Sequence, residues 1–219
     1  MIINERVTDY INFLDKELPE NLLYLEKYAL DNHVPIIKKE TQGVLRFLLQ
    51  LIKPIRILEV GTAIGFSALF MSEHTSSACK ITTIEKVQMR LVEAIKNLSD
   101  ERFTNRDKIT LRQGDAIDVL KELVEDNLNY DFIFLDAAKG QYMTFLPELM
   151  KLLAPGGILV TDNVLQDGTV VNSRYSITRR DRTIHSRMRE YLYRITHMPE
   201  LETVILPVGD GIAISLKNH

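Results

Sequence analysis

Short runs of apolar, largely β-branched residues alternate with longer amphipathic stretches from Arg56 onward. These runs are residues 55–60, 81–85, 109–113, 132–136 and 158–162. The runs are hydrophobic throughout rather than at every second position, which is typical of parallel strands buried on both faces between crossover helices. The pattern therefore predicts an α/β fold with a doubly wound, mostly parallel sheet.

Two more apolar runs close the chain, at residues 202–207 and 211–216. Only Val208, Gly209 and Asp210 separate them, and a connection this short cannot contain a crossover helix. We therefore expect an antiparallel hairpin at one edge of the sheet, with Gly209, Asp210 and Gly211 forming its turn.

The first fifty residues have a helical rather than a strand pattern. Apolar residues recur at helical spacing across residues 5–32, where Pro19 marks a break, and again across residues 40–52. These helices predict a cap over the sheet edge, with a lid or a dimer surface as the alternative. We expect a single domain, with the helical cap at residues 1–53 and the α/β core at residues 54–219.

Composition narrows the class of protein. The chain is 45% hydrophobic and 26% charged, and no segment approaches the ~20 apolar residues that a membrane span needs. Charges throughout the first fifteen residues do not fit a secretory signal, so we expect a cytoplasmic protein without membrane contact. Cys79 is the only cysteine, which excludes an internal disulfide and does not favour thiol catalysis.

A glycine-containing turn follows the first strand. Gly61 can form the tight turn, and Gly65 at the start of the next helix lets a ligand approach the backbone. Glu85 ends the second strand, where a carboxylate can accept hydrogen bonds from ribose hydroxyls, and Asp115 follows the third, within reach of an adenine. The sequence predicts a nucleoside-containing cofactor here, with an ordinary strand-to-helix loop as the alternative. The absence of a third glycine and of a Walker-type lysine argues against a pyrophosphate or triphosphate ligand.

Oxygen-bearing side chains end the fourth and fifth strands. Asp136 follows one strand, and Asp162 and Asn163 follow the other. Neighbouring strands lie ~4.8 Å apart, so the three side chains can converge on one ion. Such ligands favour a hard cation. Mg²⁺ is the first candidate, and Mn²⁺ and Ca²⁺ are the alternatives. The simpler interpretation is a helix cap and a turn.

Lys139 lies three residues after Asp136 and is expected to face the same site. Nearby positive charge favours the neutral amine, which is the form that acts as a general base. The alternative is a solvated surface lysine.

Basic residues concentrate in one segment although the net charge is -3. Residues 174–194 contain seven arginines against Asp181 and Glu190, a local balance of +5 (7 minus 2). Such a segment suits a polyanion, and Tyr175, Tyr191 and Tyr193 could stack on bases. The alternatives are a solvated, salt-bridged helix face over residues 182–195 and tyrosines that belong to the core.

Four segments together resemble one enzyme group, the metal-dependent catechol and caffeoyl-CoA O-methyltransferases. They are residues 59–67 (EVGTAIGFS), 136–142 (DAAKGQY), 161–165 (TDNVL) and 207–211 (PVGDG). Within that group the chain looks most like the bacterial tRNA 5-hydroxyuridine methyltransferases, which form 5-methoxyuridine at the wobble position. The resemblance implies a Rossmann-like class I methyltransferase fold, a seven-stranded sheet whose last strand is antiparallel, and a homodimer.

The resemblance also implies roles for individual residues. It assigns Asp136, Asp162 and Asn163 to the metal. Around S-adenosylmethionine it implies Ile36, Glu59, Gly61, Gly65, Ser67, Glu85, Asp115, Ala116 and Asp136. One departure concerns the substrate: catechol enzymes carry an aromatic residue just after the first metal aspartate, where this chain has Ala137 and Ala138.

The expected reaction is methyl transfer to a hydroxyl that chelates the ion together with an adjacent oxygen, with Lys139 as the base. In 5-hydroxyuridine the hydroxyl lies beside the C4 carbonyl, so a tRNA anticodon stem-loop is the expected partner. Its phosphates would contact Arg174, Arg179, Arg180 and Arg182. The alternatives are a small-molecule catechol-type enzyme and a non-catalytic module that binds S-adenosylmethionine.

Overall fold

A computed structural model of the chain describes residues 3–219, apart from the side chain of Arg174. The strands are β1 (Arg56–Val60), β2 (Lys80–Glu85), β3 (Ile109–Gln113), β4 (Tyr130–Leu135), β5 (Leu153–Thr161), β6 (Leu201–Leu206) and β7 (Ile212–Lys217). The α-helices are α1 (Glu5–Leu14), α2 (Glu20–Asp31), α3 (Lys39–Ile52), α4 (Phe66–Glu73), α5 (Gln88–Leu98), α6 (Ala116–Glu125), α7 (Tyr142–Leu152) and α8 (Arg182–His197).

All seven strands form one sheet in the order β3-β2-β1-β4-β5-β7-β6. The first five are parallel to one another, and β7 is antiparallel to both β5 and β6. The predicted fold class is therefore confirmed. From β1 the strand order runs to β2 and β3 on one side and to β4 and β5 on the other. At such a point an α/β sheet opens a crevice at the carboxyl ends of its strands.

The two strands of the C-terminal hairpin do not join the sheet in chain order. Its last strand, β7, lies inside the sheet beside β5, and β6 forms the outer edge. This insertion pairs Thr161 with Ala213, so it brings the hairpin turn to the carboxyl end of β5. β5 also begins at Leu153, five residues before the predicted run, with an irregularity opposite Tyr130 and Phe132.

The N-terminal helices divide at Pro19, as predicted, and Pro19 caps the start of α2. Helices α2 and α3 bury apolar residues such as Leu22, Leu25 and Leu45 against the sheet. In contrast, α1 buries none of its residues. The cap interpretation therefore fits α2 and α3, whereas α1 lies on the outside of the cap.

Two hydrophobic layers cover the two faces of the sheet. One layer, under α6, α7 and α8, receives Leu58 and Val60 from β1, and the other, under α2, α3 and α4, receives Ile57. Burial on both faces explains why the strand runs are apolar throughout. In the described part of the chain, no helix is long and apolar enough to cross a membrane.

Candidate active site

The glycine turn after β1 is held in place by the ends of β2 and β4, which lie on either side of it. Gly61 has φ +109, and a Cβ there would lie 1.9 Å from the carbonyl oxygen of Asp136. The amides of Gly61 and Thr62 both donate to the carbonyl of Ile84 at 3.1 Å. Only glycine can combine this backbone conformation with this close approach to the end of β4.

Glu85 is buried at the end of β2, and its carboxylate is held by backbone amides. One oxygen accepts from Ala63 at 2.9 Å, and the other accepts from Lys86 and Val87 at 2.9 and 2.8 Å. Glu85 therefore joins the glycine turn to the end of β2. A carboxylate has about four acceptor positions, so one remains for a ligand.

Asp115 stands before α6, whose first residue is Ala116, and it is exposed. Its carboxylate caps the helix by accepting from the amide of Ile117 at 3.2 Å and pairs with Lys86 Nζ at 3.0 Å. The hydrogen bond from Lys86 lowers the pKa of Asp115. Asp115 is thus an oriented carboxylate one strand beyond Glu85.

Residues from two distant segments line a single pocket beside the glycine turn. Its lining residues are Pro35, Ile36, Ile37, Gly61, Thr62, Ala63, Ile64, Phe66, Ser67 and Asp136. The structure thereby brings together Ile36, Gly61, Ser67 and Asp136 from the predicted cofactor set. Gly65 lies on the same turn and is the N-terminal cap of α4.

Glu59 lies beneath this pocket and is fully buried. One carboxyl oxygen accepts from the hydroxyl of Thr83, and the other has no hydrogen-bond partner within the described residues. Burial raises the pKa of Glu59 to about 7, and the neighbouring hydroxyls of Ser67 and Thr83 oppose this shift. A buried acceptor without a donor is a feature that a ligand with N–H groups can satisfy.

The predicted metal ligands meet at the ends of adjacent strands. The amide of Asp136 donates to Val60 and that of Asp162 donates to Leu135, both at 3.0 Å, so sheet pairing extends to these two residues. The amide nitrogen of the Asn163 side chain lies 3.4 Å from Asp136 Oδ1. All three side chains therefore line one small region.

The charges in this region are poorly compensated. Burial raises the pKa of both aspartates, and for Asp162 the charge of Asp136 adds to the effect. Two buried carboxylates that repel each other are a suitable environment for a divalent cation. Rotation of the Asn163 amide would offer its oxygen as a third ligand. No cluster of three His, Cys, Asp or Glu side chains that could hold a metal occurs among residues 3–219, so the amide is needed to complete this set.

Lys139 begins a 3₁₀ turn between β4 and α7 and is half-buried. Its positive charge lowers the pKa of Asp136 and of Asp162 and so partly offsets the effect of burial, although among the described residues Lys139 forms no ion pair with either carboxylate. Beneath the turn, the buried Tyr142 hydroxyl donates to the carbonyl of Asp162 at 3.2 Å. Sequence patterns did not single out Tyr142, because buried aromatic residues are common at helix starts.

The sequence pattern predicts only a turn at Asp210, yet the charge of this residue raises the pKa of Asp136 and of Asp162. Asp210 pairs with Lys38 Nζ at 2.5 Å, and Asp167 lies 3.7 Å from the same Nζ. Its backbone carbonyl accepts from Leu165 and Gln166 at 2.9 and 3.1 Å. Only the insertion of β7 beside β5 places this turn there, so no local pattern of residues points to a role for Asp210 in the site.

The arginine-rich segment forms irregular turns followed by α8. Arg179 and Arg180 are exposed, Arg182 donates to the carbonyl of Ile177 at 3.1 Å, and the side chain of Arg174 lies outside the described residues. Among the described side chains, no arginine of residues 179–194 forms an ion pair, and Asp181 instead accepts from Thr178. The alternative interpretation, a solvated, salt-bridged helix face, therefore holds for the exposure of these arginines but not for salt bridges among the described residues.

The three tyrosines of this segment differ in exposure. Tyr191 is fully buried, so base stacking by this residue is excluded and the core interpretation is right. Tyr193 stacks on His197, with ring centroids 4.0 Å apart. Tyr175 is 89% exposed and is the one that remains free to stack on a base.

Comparison with known proteins agrees with the fold. The O-methyltransferase family matches residues 14–218. A catechol O-methyltransferase from Niastella koreensis is 32% identical over 173 residues, covering 78% of this chain and 77% of that protein. A caffeoyl-CoA O-methyltransferase from Medicago sativa is 33% identical over 183 residues, covering 78% and 70%.

Solved structures extend the similarity to the whole chain. A crystal structure from Staphylococcus aureus, provisionally described as a caffeoyl-CoA O-methyltransferase, superposes with a TM-score of 0.85 at 28% identity and covers 98% of both chains. The O-methyltransferase from Bacillus cereus in complex with SAH shares the fold, with a TM-score of 0.83 at 23% identity over 97% of both chains. The chain belongs to the O-methyltransferase family, and among its relatives are catechol and caffeoyl-CoA O-methyltransferases.

Proposed function

We propose that this protein transfers a methyl group from S-adenosylmethionine to a hydroxyl that has a second oxygen beside it, and that a divalent cation assists the transfer. Mg²⁺ is the first candidate for this cation. The observation that carries the proposal is the position of Asp136. This residue lines the pocket beside the glycine turn and also meets Asp162 and Asn163. The cofactor and cation sites thus share one wall, as direct transfer between their ligands requires.

The residues fit both groups. S-adenosylmethionine supplies an electrophilic methyl on a sulfonium, and the glycine turn, Glu85 and Asp115 would hold its nucleoside. A divalent cation supplies positive charge that favours the ionised acceptor hydroxyl. Asp136, Asp162 and Asn163 would hold that cation.

The remaining steps belong to side chains of the protein. Lys139, as a neutral amine, accepts the proton of the acceptor hydroxyl and becomes an ammonium ion. The resulting oxyanion forms the new carbon–oxygen bond as the carbon–sulfur bond breaks, and the sulfur keeps that electron pair. Tyr142 holds the backbone of Asp162 in place during this exchange.

Two acceptors remain as candidates. Similarity to catechol and caffeoyl-CoA O-methyltransferases supports a small molecule with two vicinal hydroxyls. The unpaired Arg179 and Arg180 support the second candidate, 5-hydroxyuridine in a tRNA anticodon loop, because exposed arginines suit RNA phosphates. Purified protein with labelled S-adenosylmethionine and Mg²⁺ should be offered catechol, caffeoyl-CoA and tRNA that contains 5-hydroxyuridine. Absence of labelled product from all three would overturn the proposed reaction.

Simultaneous replacement of Arg179, Arg180 and Arg182 by alanine separates the two acceptors. Loss of phosphate contacts should lower methylation of the tRNA by at least about a hundredfold at moderate salt, whereas turnover of free catechol should change by less than about twofold. Initial rates at several salt concentrations measure both. Unchanged activity on tRNA would remove these arginines from the RNA-binding surface.

We also propose a homodimer, which the exposed apolar residues of the cap support. Phe13 is 80% exposed, Phe47 65% and Leu51 66%. Such a patch commonly marks a protein interface. Sedimentation of the purified protein would test this, and a monomer at micromolar concentration would contradict it.

A further inference from the structure

The turn that carries Lys139 has little support of its own. It spans only Lys139, Gly140 and Gln141, none of which is buried, and it has no side-chain cap. Inside the turn, the amide of Gln141 donates to the carbonyl of Ala138 at 2.8 Å. A single exposed 3₁₀ turn is weakly stable, so its position depends on contacts from outside.

Helix α8 supplies such a contact. Arg187 Nη1 donates to the carbonyl oxygen of Gly140 at 2.9 Å. The guanidinium also lies over the open side of the glycine: a Cβ at Gly140 would be 3.7 Å from Arg187 Nη1 and 3.9 Å from Ile184 Cγ1. Two consecutive turns of α8 therefore flank the turn that holds Lys139.

The same face of α8 supports the cation side of the site. Tyr191 lies four residues after Arg187 and so points in the same direction. Its hydroxyl is 2.6 Å from the hydroxyl of Thr161, the residue before Asp162. Its ring meets that of Tyr142 edge to face, with centroids 5.4 Å apart. One face of α8 thus contacts both the β5 end and the Lys139 turn.

We propose that Arg187 is a positioning residue for Lys139: its guanidinium holds the Gly140 carbonyl and so fixes the turn from which the Lys139 side chain extends, three residues after Asp136. This role rests on the proposed function of Lys139 as the base. Arg187 is exposed and need not touch cofactor or acceptor to act. Its loss should therefore slow the chemical step and leave binding of S-adenosylmethionine unchanged.

The test compares Arg187→Ala with Arg187→Lys and with Arg106→Ala. Arg106 is a matched control, because its Nη1 also donates to a backbone carbonyl, that of Phe103 at 3.2 Å, but just before β3, at the amino end of the strands and away from the crevice at their carboxyl ends. The readouts are kcat and KM for the methyl acceptor that the wild type uses, cofactor affinity, the melting temperature, and hydrogen exchange of the peptide covering residues 137–146.

We expect Arg187→Ala to lower kcat about tenfold, with KM and cofactor affinity within about twofold, and to speed exchange at residues 139–142. Arg187→Lys should recover most of kcat, since an ammonium can still donate to the carbonyl. Arg106→Ala should leave kcat and exchange of this turn unchanged, even if it lowers the melting temperature.

An unchanged kcat in Arg187→Ala would overturn the inference. A lower kcat without faster exchange of the turn would also overturn it, because the arginine would then act on the substrate directly. If the wild type methylates no acceptor, the proposed function fails. Hydrogen exchange then still decides whether Arg187 holds the turn.

Discussion

The carboxylates in the cofactor half of the site and those in the cation half differ in how many hydrogen bonds the protein donates to them. On the cofactor side, Glu85 accepts three backbone hydrogen bonds. The glycine turn next to it is hydrogen-bonded to the end of β2 and lies against the end of β4. On the cation side, Asp136 and Asp162 lie together with only Asn163 between them. The first half is organised by the fold alone, whereas the second contains charge that a ligand must neutralise.

This difference teaches how the two halves should respond to mutation. Changes in the glycine turn and at Glu85 should act mainly on folding, because the protein itself supplies most of the hydrogen bonds of these groups. Changes in the cation half should act on activity, because its polar groups are left for a ligand. Variants at Asp162, Gly61 and Glu59 distinguish these two kinds of response.

Asp162→Ala should lower kcat by about 10³-fold, because one ligand of the cation is lost and metal stabilisation contributes several kcal/mol. Cofactor affinity should stay within about tenfold, since Gly61, Ser67 and Glu85 are untouched. Calorimetric titration and initial rates with added Mg²⁺ or chelator measure both. Asp107→Ala removes an exposed carboxylate at the other end of the sheet and should have no effect. Full activity in Asp162→Ala, or in chelator, would exclude the metal mechanism.

A non-catalytic module that only binds S-adenosylmethionine makes the opposite prediction for the wild type. It would retain cofactor affinity without transferring methyl to any acceptor. The same titration and rates therefore separate this alternative from an enzyme.

Gly61→Ala should destabilise the protein by on the order of 4 kcal/mol, because the new methyl group would overlap the carbonyl oxygen of Asp136 at 1.9 Å in a disfavoured backbone conformation. Chemical denaturation measures the free energy of unfolding. Gly43→Ala is the matched control: its Cβ would have only an ordinary contact, 3.7 Å from Asp15, and alanine favours the helix. Equal stability of the two variants would mean that the glycine turn is not rigid.

Glu59→Gln should flatten the dependence of stability on pH. The pKa of Glu59 is about 7 in the folded protein against 4.5 for the ordinary group, so the folded state binds the proton more tightly. The contribution of this group to stability is therefore complete below about pH 4.5 and is lost as pH rises through about 7, by roughly 3 kcal/mol in all. Unfolding free energies at pH 5 and pH 8 test this, and an unchanged pH dependence in Glu59→Gln would contradict it.

Much of the fold could be predicted from the sequence. The strand runs are hydrophobic on both faces, and Pro19 breaks the N-terminal helices; both signals are local. The three-residue hairpin connection excluded a crossover helix. The early start of β5 was missed, because the segment from Ala154 to Gly157 contains proline and two glycines and does not look like a strand.

Part of the site could also be predicted from the sequence. Asp136, Asp162 and Asn163 follow strands, and parallel strands bring their carboxyl ends to one edge. Asp210, Lys38 and Arg187 were not assigned to the centre of the site, because each acts through a partner far away in the chain.

The strand runs, the glycine turn and the polar residues that end each strand are local features, and each can be found in the sequence alone. Which of them come into contact depends on how the elements pack in three dimensions. The insertion of β7 beside β5 brought Asp210 to the metal ligands, and packing of α8 on α7 brought Arg187 to the Lys139 turn. Periodicity reports burial along one element, whereas a site is made by contacts between elements, which depend on strand order and helix packing.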